Sequence, residues 1–60
     1  MKFKVGDPCV AETPNGPIAG IVMAGPDDSG MAMVAYPFLH EGIVGLTHRK
    51  VAPEKIHKVA

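Results

Sequence analysis

The chain has 60 residues, with six Lys and Arg balanced by six Asp and Glu, one cysteine and an apolar fraction of 47%. This length predicts one domain, residues 1–60, and the apolar fraction excludes a disordered chain. A single cysteine excludes an internal disulfide, and zero net charge argues against a general nucleic-acid binder.

The N-terminus is where a targeting signal would stand. Met1-Lys2-Phe3-Lys4 is followed by Gly6, Asp7 and Pro8 before an apolar segment can form, so we expect no signal peptide. No 18 apolar residues follow one another, which predicts no membrane-spanning helix and no membrane partner. These features together predict a cytoplasmic protein.

Glycine and proline punctuate the whole chain, seven and six times respectively. They leave no room for a helix of average length and predict short strands separated by turns, as in a small barrel or sandwich. The first strand opens over residues 2–5, where Phe3 and Val5 alternate with lysines. It resumes at residues 9–12 after the turn Gly6-Asp7-Pro8.

The clearest turn is Thr13-Pro14-Asn15-Gly16, because proline suits its second position and Asn-Gly tolerates positive φ. The next strand is expected over residues 17–23, and Gly20 inside it predicts a bulge or a sharp bend. This strand supplies three core candidates, Ile18, Ile21 and Val22.

An exposed polar loop is expected over residues 25–30, before the longest apolar run, residues 31–38. This run predicts a central strand that is buried on both faces in its middle and that Pro37 ends or pushes to an edge. Residues 39–41 form a connector, and residues 42–47 form a further strand containing Ile43, Val44 and Leu46.

The C-terminal segment begins with a basic cluster, His48-Arg49-Lys50. Residues 51–55 are expected to make one 3₁₀ turn with Pro53 at its first position, and residues 56–59 the last short strand. The fold class is therefore all-β, with five strands and one 3₁₀ turn before the last strand.

This order of elements is that of an SH3-like barrel. The segment from Phe3 to Val10 resembles the "x-V-G-D-x-V" opening of small SH3-like bacterial and phage proteins, and the 3₁₀-then-strand ending resembles theirs. The layout is also similar to that of plasmid-borne type II dihydrofolate reductases, which are homotetramers with one central active pore.

The reductase resemblance supports the fold and a tendency to self-associate, but it argues against reductase activity. The family's pore strand carries Val-Gln-Ile-Tyr, and the matching stretch here is Val44-Gly45-Leu46-Thr47. The glutamine that binds cofactor and substrate is replaced by Gly45, and the tyrosine by Thr47. We therefore expect no cofactor.

No side chains stand at a spacing that predicts catalysis or metal binding. His40, His48 and His57 are more than six residues apart and are interpreted as surface residues; a metal site across an oligomer axis is the alternative. Cys9 has no neighbouring base and is interpreted as a buried, unreactive thiol. Asp27-Asp28-Ser29 is interpreted as a solvated turn rather than a calcium loop.

The candidate binding residues are apolar and lie around the central strand. Methionines there either fill the core or form an adaptable contact surface, and an exposed Tyr36-Pro37-Phe38-Leu39 would be an interface. The predicted interface comprises Met31, Met33, Tyr36, Phe38 and Leu39, with His48, Arg49 and Lys50 as a polar rim.

The predicted function follows from size. So short a chain, without a disulfide or metal, buries too little surface to be more than marginally stable alone, and association with its own copies supplies further burial. We expect a non-enzymatic homo-oligomer that binds another protein. The alternatives are an oligomeric reductase-type enzyme using other pore residues, a phage- or mobile-element-encoded inhibitor of a host protein, and a nucleic-acid adaptor.

Overall fold

The computed structural model describes residues 3–59, which form one antiparallel sheet of five strands. The strands are β1 (Pro8–Thr13), β2 (Gly16–Ala24), β3 (Ala32–His40), β4 (Ile43–Val51) and β5 (Ile56–Lys58). Their order across the sheet is β4-β3-β2-β1-β5. A 3₁₀ turn at Pro53–Lys55 precedes β5. The predicted all-β class, the strand count and the turn are confirmed.

Alternation along the strands places the core on one face of the sheet. The buried side chains are Phe3, Cys9, Ala11, Val22, Ala32, Val34, Val51 and Ile56, and Ile18 packs against them. Strands β1 and β4 are not neighbours in the sheet but still approach each other. The sheet therefore curls, and a single apolar face covers itself.

The β1–β2 connection is the turn that the sequence predicts. Thr13 pairs with Gly16 across it, and Gly16 has a φ of 112°. The Thr13 hydroxyl donates to the Gly16 carbonyl oxygen at 2.6 Å and accepts from the Asn15 N–H at 3.2 Å. This local network fixes the β1–β2 register, because a hairpin's register follows from its turn.

The predicted N-terminal strand does not form. Lys2 lies outside the described residues, while Val5 and Gly6 form a turn and Val5 is 64% exposed. The Lys4 N–H donates to Asp7 Oδ2 and the Asp7 N–H donates to the Lys4 carbonyl oxygen, so the chain turns back on itself. Phe3 is nevertheless buried, as alternation predicts.

One core prediction for β2 is wrong. Ile21 is 52% exposed rather than in the core, because its neighbour Val22 occupies the buried face and successive strand residues point to opposite faces. The β2–β3 register shifts between Val22 and Ala24, so the irregularity comes after Gly20. At Gly20 itself the carbonyl oxygen of Ala35 lies where a Cβ would stand.

Pro37 does not end β3, which continues to His40 and pairs with β4 along its whole length. The β2–β3 ladder, however, ends with Ile21 opposite Ala35. Pro37 therefore stands where β3 has no neighbour on the β2 side, and a missing N–H is tolerated at such an edge position. Its predicted edge placement is thus confirmed for this part of β3.

Within residues 3–59, no helix is long and apolar enough to cross a membrane.

Candidate protein–protein interface

The distal half of the β3–β4 hairpin extends beyond the rest of the sheet. Beyond Ala35, β3 has no β2 partner, and residues 36–47 form a two-stranded ribbon, here called the arm. Its tip is the pair Glu41-Gly42, whose φ values of 51° and 78° are those of a two-residue hairpin turn with positive φ at both positions. A ribbon of two strands is at best marginally stable in water without further packing.

One face of the arm is apolar and almost completely exposed. Leu39 pairs with Val44, and Pro37 pairs with Leu46. The exposed fractions are 70% for Leu39, 73% for Val44 and 78% for Leu46. We call these four residues the outer patch. The outer face of an antiparallel sheet is ordinarily polar, so this arrangement is a candidate interaction surface.

The other face of the arm continues the core. Tyr36 is half-buried beside buried Val34, whereas Phe38 is 44% and Ile43 71% exposed. The Phe38 ring lies over Gly45, where a Cβ would stand 2.9 Å from its Cε1 atom. The missing side chain at position 45 therefore makes room for the ring, which shields the glycine backbone.

The arm also includes a free strand edge. Strand β4 is the last strand at its end of the sheet within the described residues. Its first residues, Ile43, Val44 and Leu46, are exposed and apolar, without the charges that usually protect an edge strand. An edge of this kind favours pairing with another chain.

The structure divides the predicted interface residues between two faces. Met33, Leu39, His48 and Lys50 lie on the outer face of the sheet, whereas Tyr36, Phe38 and Arg49 lie on the core side. Met31 precedes β3 and is half-buried. His48, Arg49 and Lys50 are strand residues that alternate between the faces, so they do not form one continuous rim.

Sequence reasoning did not select Ile43, Val44 and Leu46 as interface residues. The signal was present, because residues 43–46 carry apolar side chains at both strand parities around Gly45. A strand exposed on its outer face should alternate with polar residues. Apolar residues at both parities therefore make the second face a candidate interaction surface.

A groove lies at the end of the β3–β4 hairpin opposite the tip of the arm. Its volume is about 250 Å³, and it lies between the end of β1 with the β1–β2 turn, Met31 just before β3, the end of β4 and the 3₁₀ turn. Its walls include Arg49, Lys50 and Lys55 together with Glu12 and Met31. The groove thus combines several cations with an apolar floor.

One ion pair and one histidine–carboxylate hydrogen bond flank this groove. Lys50 Nζ lies 2.9 Å from Asp27 Oδ2, and His57 Nε2 lies 2.6 Å from Glu12 Oε2. The hydrogen bond and the charge of His57 lower the pKa of Glu12. The hydrogen bonds from the Ser29 hydroxyl and Lys50 hold the pKa of Asp27 well below its usual range.

The Asp27 carboxylate organises the whole β2–β3 loop. Its Oδ1 atom accepts from the Ser29 N–H at 2.9 Å, the Ser29 hydroxyl at 2.6 Å and the Met31 N–H at 3.2 Å. The predicted solvated turn at residues 27–29 is therefore exposed but tied to β4 through Lys50. This network positions Met31 beside the groove.

Acid should weaken the protein through this carboxylate. Because folding lowers the Asp27 pKa, its stabilisation is present above the unfolded-state pKa and is lost as pH falls toward the folded-state pKa. We expect Asp27→Asn to reduce the free energy of unfolding at pH 7, and the gap to wild type to narrow steadily below about pH 4. Urea denaturation at a series of pH values measures both curves.

Asp28→Asn is the matched control, because Asp28 is the adjacent exposed carboxylate and lies outside the bonds just described. The free energy of unfolding of Asp28→Asn should change with pH in the same way as that of the wild type. If the difference in free energy of unfolding between Asp27→Asn and wild type stays constant down to pH 2, the charge of Asp27 does not stabilise the fold.

Cys9 and the side chains that could ligate a metal are the remaining candidates for chemistry within residues 3–59. Cys9 is 1% exposed, as predicted for a buried thiol, and burial, followed by the nearby charge of Asp7, raises its pKa. A raised pKa disfavours the nucleophilic thiolate. Over residues 3–59, no three or more His, Cys, Asp or Glu side chains converge as metal ligands.

Comparison with protein-family models, with curated proteins and with solved structures gives no match.

Proposed function

We propose that this chain is a cytoplasmic, non-enzymatic binding module with an SH3-like barrel, which associates with its own copies and acts through protein–protein contact. The observation that carries the proposal is the outer patch. Three large aliphatic side chains, Leu39, Val44 and Leu46, are each at least 70% exposed on adjacent strands. Their burial against a partner would remove apolar surface from water, which is the main favourable term in most associations.

The size of the exposed surface supports a second copy as the occupant of the outer patch. The chain exposes 4285 Å². A folded monomer of 6.3 kDa is expected to expose about 3,700 Å². The excess of about 600 Å² approaches the roughly 800 Å² that one partner contributes to a standard interface.

The chemistry of the patch also favours self-association. A twofold axis brings the same patch of both copies together, so the patch must be complementary to itself. An uncharged aliphatic surface meets this condition without like-charge repulsion. The open edge of β4 lies beside the patch and provides backbone groups that a second β4 can pair with.

The pore positions of the reductase resemblance support a non-enzymatic role. At position 45, where that family carries its glutamine, Phe38 covers the glycine, and a side chain would have to displace the ring. At position 47 the hydroxyl of Thr47 cannot provide the reach of the family's tyrosine. The strand can therefore support assembly without supplying the family's ligand-binding groups.

Dilution of the wild-type protein tests the proposal. Light scattering should give a mass above that of a single copy at about 1 mM, falling toward a single copy at about 1 µM, and the melting temperature should fall in parallel. This coupling is expected because subunit association stabilises only the folded state. A single-copy mass at every concentration, with a constant melting temperature, would contradict the proposal.

A further inference from the structure

The groove lies at the end of the β3–β4 hairpin opposite the tip of the arm. Its walls join four elements that are distant in sequence, from Glu12 in β1 to Lys55 in the 3₁₀ turn. The strands of the hairpin have nine residues each, so about 30 Å separates the groove from the tip of the arm. A ligand in the groove would leave the outer patch free.

The charges of the groove are not balanced within the described part of the chain. Of its three cations, Lys50 is paired with Asp27, while the carboxylate of Glu12 is held by His57. The ion pairs found among residues 3–59 include neither Arg49 nor Lys55. The charge of Lys55 contributes to lowering the pKa of Glu12, after the hydrogen bond and the charge of His57. The groove thus presents the cations of Arg49 and Lys55 and the carboxylate of Glu12, which leaves an excess of positive charge for an incoming anion.

Arg49 is the stronger of these two anchors. Its side chain leaves β4 on the core side of the sheet and is half-buried, whereas Lys55 is exposed. A guanidinium offers a planar fork of N–H donors that matches the two oxygens of a carboxylate. Partial burial strengthens such a pair, because water screens it less.

The rest of the groove lining is largely apolar. Met31, Val51 and Ala52 contribute apolar lining, and the Asp27 network fixes the backbone at Met31. Methionine adapts its unbranched side chain to varied aliphatic shapes. A volume of about 250 Å³ is below the usual range for drug-sized ligands and suits one or two amino-acid residues.

We propose that the groove binds a carboxylate-bearing residue of a partner protein, with the carboxylate on Arg49 and Lys55 and the aliphatic stem on Met31. The carboxylate belongs either to an acidic side chain or to the C-terminus of the partner, since both present the same two oxygens. This inference rests on the proposed function and deepens it by naming the chemistry of the protein that the module binds.

Short peptides test this binding directly in an NMR titration that follows the Met31 methyl group and the Arg49 side-chain N–H. N-acetyl-Leu-Glu-amide carries its carboxylate on a side chain, N-acetyl-Leu-Leu carries a free C-terminus, and N-acetyl-Leu-Gln-amide is the uncharged control. We expect saturable shifts with at least one of the two acids and none with the control. The acid that binds more tightly identifies the source of the carboxylate.

Two variants separate recognition from folding. Arg49→Gln should weaken binding of the acid about tenfold or more, because a charge-assisted pair is lost. Lys55→Gln is exposed and should leave the fold intact while weakening binding about threefold. Lys58→Gln is the matched control, since Lys58 lies on β5 near Asp7 and outside the groove lining, and its affinity should equal that of wild type.

Equal binding of the acid and uncharged peptides would overturn the inference, and so would unchanged affinity in Lys55→Gln together with Arg49→Gln. Binding of a single-stranded oligonucleotide at these residues, with no response to either acid, would assign the groove to nucleic acid and also overturn the inference.

The light-scattering result is independent of the peptide titration. Self-association without peptide binding rejects this inference alone, whereas peptide binding by a strict monomer rejects the assembly instead.

Discussion

Replacing Gly20 with alanine is expected to lower the free energy of unfolding by about 3 kcal/mol, the upper end of the range for overpacking a core. A Cβ at this position would overlap the carbonyl oxygen of Ala35 and stand 3.1 Å from the Cβ atom of Tyr36. The obstacle is backbone of the neighbouring strand, so no rotamer change relieves it. Small domains have only about 5 kcal/mol to lose, and urea denaturation followed by circular dichroism should show a strongly shifted midpoint.

Gly45→Ala is the matched control for this prediction. Its Cβ would also meet a close neighbour, the Cε1 atom of Phe38 at 2.9 Å, but that neighbour is the end of a half-exposed side chain. The ring can rotate aside, so the expected loss is below about 1 kcal/mol. Equal urea midpoints for the two variants would contradict this prediction, because they would show that the backbone at Ala35 moves aside as readily as the Phe38 ring.

The strands could be predicted from the sequence more readily than the interface, because the interface depends on how far neighbouring strands stay paired. Glycine and proline positions located the turns, and the sequence placed Cys9 and Val22 in the core, where the structure has them. Neither pattern says how far two strands stay paired. The β2–β3 ladder stops at Ala35, and this end point turns the following residues of β3 into an arm.

Long-range pairing also accounts for the errors near the N-terminus. Phe3 and Val5 alternate as they would in a strand, but two hydrogen bonds with β2 hold the backbone that follows them. The Gly6 N–H donates to the Val22 carbonyl oxygen at 2.8 Å, and the Val22 N–H donates to the Asp7 carbonyl oxygen at 3.0 Å. Val5 stands in the resulting turn. A local sequence pattern contains no information about such a partner.

The groove illustrates the same principle for a site. Arg49 and Lys50 are adjacent in sequence and read as one basic cluster, yet strand geometry sends their side chains to opposite faces. Both residues nevertheless line the groove with Lys55 and Met31, and Lys50 also pairs with Asp27. The sequence therefore identified some of the cations of this site but not the elements that bring them together.

Leu46→Asp is expected to weaken self-association by at least about 100-fold, because a carboxylate placed in an uncharged interface must lose its hydration. On a twofold axis the substitution acts twice, and the two carboxylates also repel each other. Leu46 is 78% exposed, so the fold of a single copy should tolerate the change. Light scattering should give a single-copy mass at concentrations where wild type is assembled.

Val5→Asp is the matched control, since Val5 is a 64% exposed aliphatic residue outside the arm. Its mass and concentration dependence should equal those of wild type. The melting temperature separates lost assembly from lost folding: that of Leu46→Asp should be independent of concentration and equal to that of highly diluted wild type. If Leu46→Asp still assembles, or if Val5→Asp dissociates to the same extent, the surface that joins the copies lies elsewhere than on the outer patch.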